Sequence, residues 1–174
     1  MEQPYPDALT VSRKVLKGLV VLNWLFGAGI LVLLIASLIA GEWVARALGA
    51  YHEGGNTSLI MGMREIMVIG IVATPIAYLI FSRLLAIVDT VRGGDPFVAE
   101  NASRLQTIAW AVLGLQIMNL VVAFIAARVS SGGHPLHIDC TRAVTPWLAV
   151  LLLFVLARVF DHGARMREDL QGTI

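Results

Sequence analysis

Four apolar runs divide the chain: Gly18 to Ala40, Ile66 to Ser82, Leu105 to Ala127 and Ala143 to Ala157. A helix that crosses a bilayer needs about 20 mostly apolar residues. The first and third runs meet that length without a single charged side chain. The second lies between Glu65 and Arg83, the fourth between Arg142 and Arg158. Both are short, but arginine snorkels and lengthens a span by about a turn. The pattern predicts an all-α protein, an integral membrane four-helix bundle forming a single domain over 1–174, with spans at about 18–40, 63–83, 105–127 and 143–160. Pro75 predicts a kink in the second span. The basic stretch RKVLK before the first run resembles the start of a signal peptide. That run exceeds a signal core of about 7–15 residues, however, and is expected to stay as a span.

Helical periodicity does not stop at Arg83. Leu84, Leu85, Ile87, Val88 and Val91 continue it, so the second helix extends about two turns beyond the membrane. Gly93 and Gly94 are the expected stop, because glycine takes the left-handed conformation that ends helices. Asp95 as a cap and Pro96 at the first helical position are the expected restart. Helices two and three then form a hairpin with 93–96 at its tip. The tail RVFDHGARMREDLQGTI continues helix four, with Asp161, Arg165 and Asp169 as a charge ladder and Gly172 as its stop.

Charge sets the orientation. One side of the four spans carries Arg13, Lys14, Lys17, Arg83, Arg92, Arg104, Arg158, Arg165 and Arg167; the other carries Arg46, Arg64, Arg128 and Arg142. The excess of Lys and Arg marks the cytoplasmic side. The expected topology is N-in/C-in, with the hairpin in the cytoplasm. Composition agrees with a bilayer as solvent: 57% hydrophobic, 14% charged and a mean hydropathy of +0.78, against about a quarter charged in soluble domains. A net charge of +1 gives no global basic bias, which argues against direct nucleic-acid binding.

Candidate chemistry is sparse. His134, His137, Asp139 and Cys140 in HPLHIDC are suitable metal donors, with His52 in the other outer loop. They sit in a Gly/Pro loop with no second ligand cluster behind it, so an ordinary polar loop is the favoured reading over a metal site. The single cysteine excludes an intramolecular disulfide. All four histidines lie outside the apolar runs, which leaves a membrane haem without axial ligands, and no cofactor is expected. The phosphate-loop pattern is absent. No Ser/His/Asp or paired-carboxylate constellation falls on one surface, so no enzyme is expected. Asn23, Gln116 and Asn119 lie inside apolar runs and are expected to hydrogen-bond between helices. The two short spans can gain cover from self-association as a homo-oligomer or from bilayer thinning.

Two separated motifs add a resemblance. Gly94, Pro96 and Phe97 precede Glu100, Asn101, Arg104 and Leu105, matching GxPF followed by ENxxRL. The tail matches at Phe160, Gly163, Ala164, Arg167, Glu168, Thr173 and Ile174, and departs at Met166 and Gly172. Together they resemble the bacterial DUF2975 membrane proteins. The resemblance implies a four-helix protein of the bacterial cytoplasmic membrane. It also implies a gene paired with one for a small helix-turn-helix regulator. From it follows the expectation of a non-enzymatic partner that binds or antagonises such a regulator, through Phe97, Glu100, Asn101, Arg104, Arg167 and Glu168. The alternatives are a small-molecule or ion transporter subunit and a sensor with its ligand in the outer loops. The scarcity of intramembrane charge weighs against transport.

Overall fold

The computed structural model describes residues 5–41, 57–129 and 140–171, with side chains over 9–41, 60–128 and 144–167. Within them run four helices: α1 (Tyr5–Ile39), α2 (Thr57–Arg92), α3 (Ala99–Val129) and α4 (Cys140–Gln171). Each holds a stretch long and apolar enough to cross a membrane: Leu9–Ile39, Ile60–Arg92, Ala99–Arg128 and Val144–Arg167. The chain is all-helical and of multi-pass membrane type. At 1.5 Å per residue the helices measure about 46–54 Å, well beyond the hydrocarbon thickness of about 30 Å.

Several boundaries differ from the pattern. Helix α1 starts at Tyr5, long before the apolar run, because no glycine or proline interrupts 7–17 and Pro6 sits in the tolerant first turn. Helix α2 reaches Arg92, as its periodicity predicts, and is assigned unbroken through Pro75. Helix α4 carries the tail to Gln171; the expected stop at Gly172 lies outside the described residues.

The helices pack in chain order. Helix α1 lies along α2, α2 along α3 and α3 along α4, and among the described residues no comparable contact joins helices further apart in sequence. Among the described residues the four expected helices thus form a row in chain order, with α1 and α4 at its edges. Its core accordingly sits on α3, where Ala102, Leu105, Ile108, Ala109 and Ala111 are buried. The outer faces stay apolar and exposed, as at Leu22, Leu25 and Phe26 of α1 and Leu151 and Leu152 of α4. Lipid is the solvent in which that surface is stable; in water it is an aggregation site.

Helix α1 joins α2 through close backbone approach and one polar clamp. A Cβ on Gly27 would lie 2.6 Å from Thr74 Cγ2, so only glycine fits there. One turn away, Asn23 Nδ2 donates to the Thr74 carbonyl at 3.0 Å, the interhelical bond its position predicts. Gln116 and Asn119 do otherwise. Neither makes a side-chain hydrogen bond within the described structure, and Asn119 is exposed, on a part of α3 that its neighbours leave uncovered.

The two ends of the row carry different locks. At the end holding the α1 C-terminus, Arg64 Nε donates to Ser37 Oγ at 3.1 Å and its Nη2 to the Ser37 carbonyl. A cation thus closes the last turns of a neighbouring helix, where carbonyls lack partners. Arg128 pairs with Glu65 at 3.3 Å at the same end. At the opposite end, next to the 93–98 connector, Arg13 of α1 meets Asp89 of α2 at 3.0 Å.

Candidate interaction surface at the connector end

Helix α2 ends in a Schellman motif. Gly94 has φ +84°, Gly94 N–H donates to the Val91 carbonyl at 3.1 Å, and Asp95 N–H donates to the Thr90 carbonyl at 3.2 Å. These are the two bonds that satisfy the last carbonyls of a helix, with glycine in the left-handed position. The expected stop at Gly93–Gly94 is therefore present. The expected restart is displaced. Helix α3 begins at Ala99, and 95–98 form a short non-helical link. Asp95 does not cap α3, which starts four residues later; its carboxylate forms an ion pair with Arg167 of α4.

Asn101 takes over the organising role. It is fully buried at 0% exposure. Its Nδ2 donates to Thr90 Oγ1 at 2.8 Å and to the Pro96 carbonyl at 2.9 Å, and its Oδ1 accepts from Arg104 Nη1 at 2.8 Å. Both donors and the carbonyl oxygen of the amide are thus used. Arg104 Nη1 also approaches the Ala86 carbonyl at 3.5 Å. One amide therefore ties the end of α2, the link and the first turn of α3 together. Asn101 cannot touch a partner from this position, and half-buried Arg104 spends Nη1 on Asn101 and the Ala86 carbonyl. Asn101 is therefore not a direct contact residue but part of the scaffold with Gly93, Gly94, Asp95 and Pro96, and Arg104 is bonded to that scaffold.

Helix α4 packs on this scaffold through the other motif. The Phe97 and Phe160 rings lie 5.3 Å apart at 33°. Gly163 lets the Phe97 ring lie against the helix, a Cβ there meeting Phe97 Cδ1 at 3.3 Å. Ala164 is buried at 4% exposure. The two motifs read separately in the sequence are thus two halves of one interface. Phe97 keeps 47% of its surface exposed and, with Val159, Gly163 and Met166, lines an open apolar groove of about 550 Å³ that Arg158, His162 and Arg167 also border. Exposed Glu100 shares a smaller hollow of about 210 Å³ with Asp95 and Arg167. The Glu168 side chain lies outside the described residues.

Sequence reasoning passed over Thr90 and Asp89, and used Arg13 only as a charge that sets the topology. Thr90 reads as one more helical residue, and nothing in its spacing from Asn101 announces a bond. Among the described residues no three His, Cys, Asp or Glu side chains cluster as metal ligands. His134 and His137 lie outside the described residues; Cys140 opens α4, with its side chain outside them.

No curated protein and no solved structure matches the chain. Residues 43–174 match the family described as Protein of unknown function (DUF2975). That match covers α2, α3 and α4 together with both halves of the connector interface, and the chain belongs to the DUF2975 family.

Proposed function

We propose that this is a non-enzymatic protein of the bacterial cytoplasmic membrane, N-in/C-in, whose connector end binds a small cytoplasmic helix-turn-helix regulator. The observation that carries the reading is the groove of Phe97, Val159 and Met166, each about half exposed. It lies at the C-terminal end of the apolar stretch of α4, at the connector end where the Arg13–Asp89 and Asp95–Arg167 ion pairs also lie. Apolar surface in such a polar setting marks a site of protein contact. The excess of Lys and Arg on this side supports a cytoplasmic location. The class of partner rests on the family resemblance, and the groove supplies the surface. Phe97 and Met166 are its apolar anchors, and Glu100 and Arg167 its flanking charges.

The test is recovery of candidate small helix-turn-helix regulators with the membrane protein from detergent extracts. Phe97→Ala and Met166→Ala are expected to lower recovery at least about tenfold, the loss of a side chain central to an interface. Val121→Ala, on the exposed outer face of α3, is expected to leave it unchanged. Equal recovery in all three overturns the reading.

A further inference from the structure

A second cleft lies between α3 and α4 on the same end of the row, with a volume of about 440 Å³. Its lining is layered. Phe154 and Ala157 form the part nearest the apolar run of α4, and Phe154 is braced edge-on by Trp110 at 5.3 Å and 83°. One turn beyond Phe154 stands Arg158. Ser103 and Gln106 face it from α3.

The polar groups are not spent on the protein. Ser103, Gln106 and Arg158 make no side-chain hydrogen bond or ion pair within the described structure, and all three are exposed. The remaining charges of the cleft cancel, since Asp161 pairs with Arg165 at 3.0 Å. The net charge of the lining is therefore the positive charge of Arg158.

We propose that this cleft binds an anionic glycerophospholipid. The guanidinium of Arg158 presents paired N–H donors to the non-bridging oxygens of a phosphodiester, the geometry for which arginine is best suited. The Ser103 hydroxyl and Gln106 amide each donate and accept, which suits the hydroxyls of a glycerol headgroup. The acyl chains leave along Phe154 and the exposed apolar face of α4 at Leu151 and Val155. This layering separates a lipid from a free anion, which gains nothing from an apolar floor. It also disfavours a zwitterionic choline headgroup, because the only carboxylate in the lining already holds an arginine. Basic pockets between membrane helices at the headgroup level are where anionic lipids are recognised. The inference rests on the chain lying in a bilayer; Arg158 also borders the docking groove, and lipid preference is therefore read with no protein partner present, so that its failure leaves the docking reading standing.

The test is native mass spectrometry of the full chain in neutral detergent, titrated with phosphatidylglycerol or phosphatidylcholine. Phosphatidylglycerol is expected to bind about five- to tenfold more tightly, the scale of one added cation at an anionic headgroup. Arg158→Gln is expected to abolish that preference and Ser103→Ala/Gln106→Ala to reduce it. Arg83→Gln removes another exposed charge, outside the cleft, and is expected to preserve it. Three results overturn the proposal. Arg158→Gln keeps the preference; Arg83→Gln loses it to the same degree, which makes it bulk charge; or equimolar inorganic phosphate displaces the lipid, which makes the site an anion site.

Discussion

Arg167 in the last helix reaches across 72 positions of sequence to form an ion pair with Asp95, just past the glycine that ends α2. The contact converts the connector from a turn between two helices into a platform shared by three. Both side chains are about two-fifths exposed, so the coupling is expected at about 0.2–1 kcal/mol and to weaken with salt. A double-mutant cycle with Asp95→Asn and Arg167→Gln, read by thermal unfolding in detergent, measures it. Strict additivity of the two changes contradicts the pair.

Asn101→Ala leaves Thr90, the Pro96 carbonyl and Arg104 without their shared partner in a buried site. A loss of about 1–3 kcal/mol is expected. Asn101→Asp keeps the acceptor but not the two donors, and is expected to fall nearer to alanine than to the native residue. Thermal unfolding of the three proteins side by side decides this.

Gly94→Ala is expected to cost about 1–2 kcal/mol, the penalty of a left-handed backbone for a residue with a Cβ. Open space surrounds the position, so the effect is conformational. Gly94→Asn is expected to recover part of it, because asparagine tolerates that region.

Gly27→Ala places a methyl group 2.6 Å from Thr74 Cγ2 and forces α1 away from α2. Overpacking of this kind costs about 1–3 kcal/mol. Thr74→Ala removes the obstructing Cγ2 and Oγ1 atoms, so the double variant is expected to be more stable than Gly27→Ala alone. An unfolding series on the four proteins checks the order.

Orientation is open to direct measurement through Cys140, the only cysteine, which opens α4 at the end opposite the connector. With both termini inside, an impermeant thiol reagent added to intact cells is expected to label it. Labelling only after permeabilisation reverses the topology.

The chain's apolar runs made the four helices legible. A bilayer tolerates only segments that satisfy their own backbone hydrogen bonds, so a run of that length and greasiness has one outcome. The stop at Gly93–Gly94 was legible for a similarly local reason. Glycine is the residue that takes φ +84° freely. The restart was not. Asp-Pro is a favourable helix start in isolation, but here α3 begins at Ala99 and the Asp95 carboxylate meets Arg167 from a distant helix instead. The burial of Asn101 was equally invisible, since an ENxxRL stretch reads the same on a wet surface as around a sealed amide.

Sequence alone thus determined what each segment is: which stretches are helical, where the polar end lies and which glycine ends α2. Those properties follow from solvation and backbone geometry within a few neighbouring residues. Only the tertiary structure decided which groups meet: Asp95 with Arg167, Phe97 with Gly163 and Phe160, Asn101 with Thr90. It also decided that the helices form an open row, with α3 covered and α1 bare. These outcomes depend on how separate helices pack, and every apolar face among them is equally content with lipid until a hydrogen bond, an ion pair or a missing Cβ selects its neighbour.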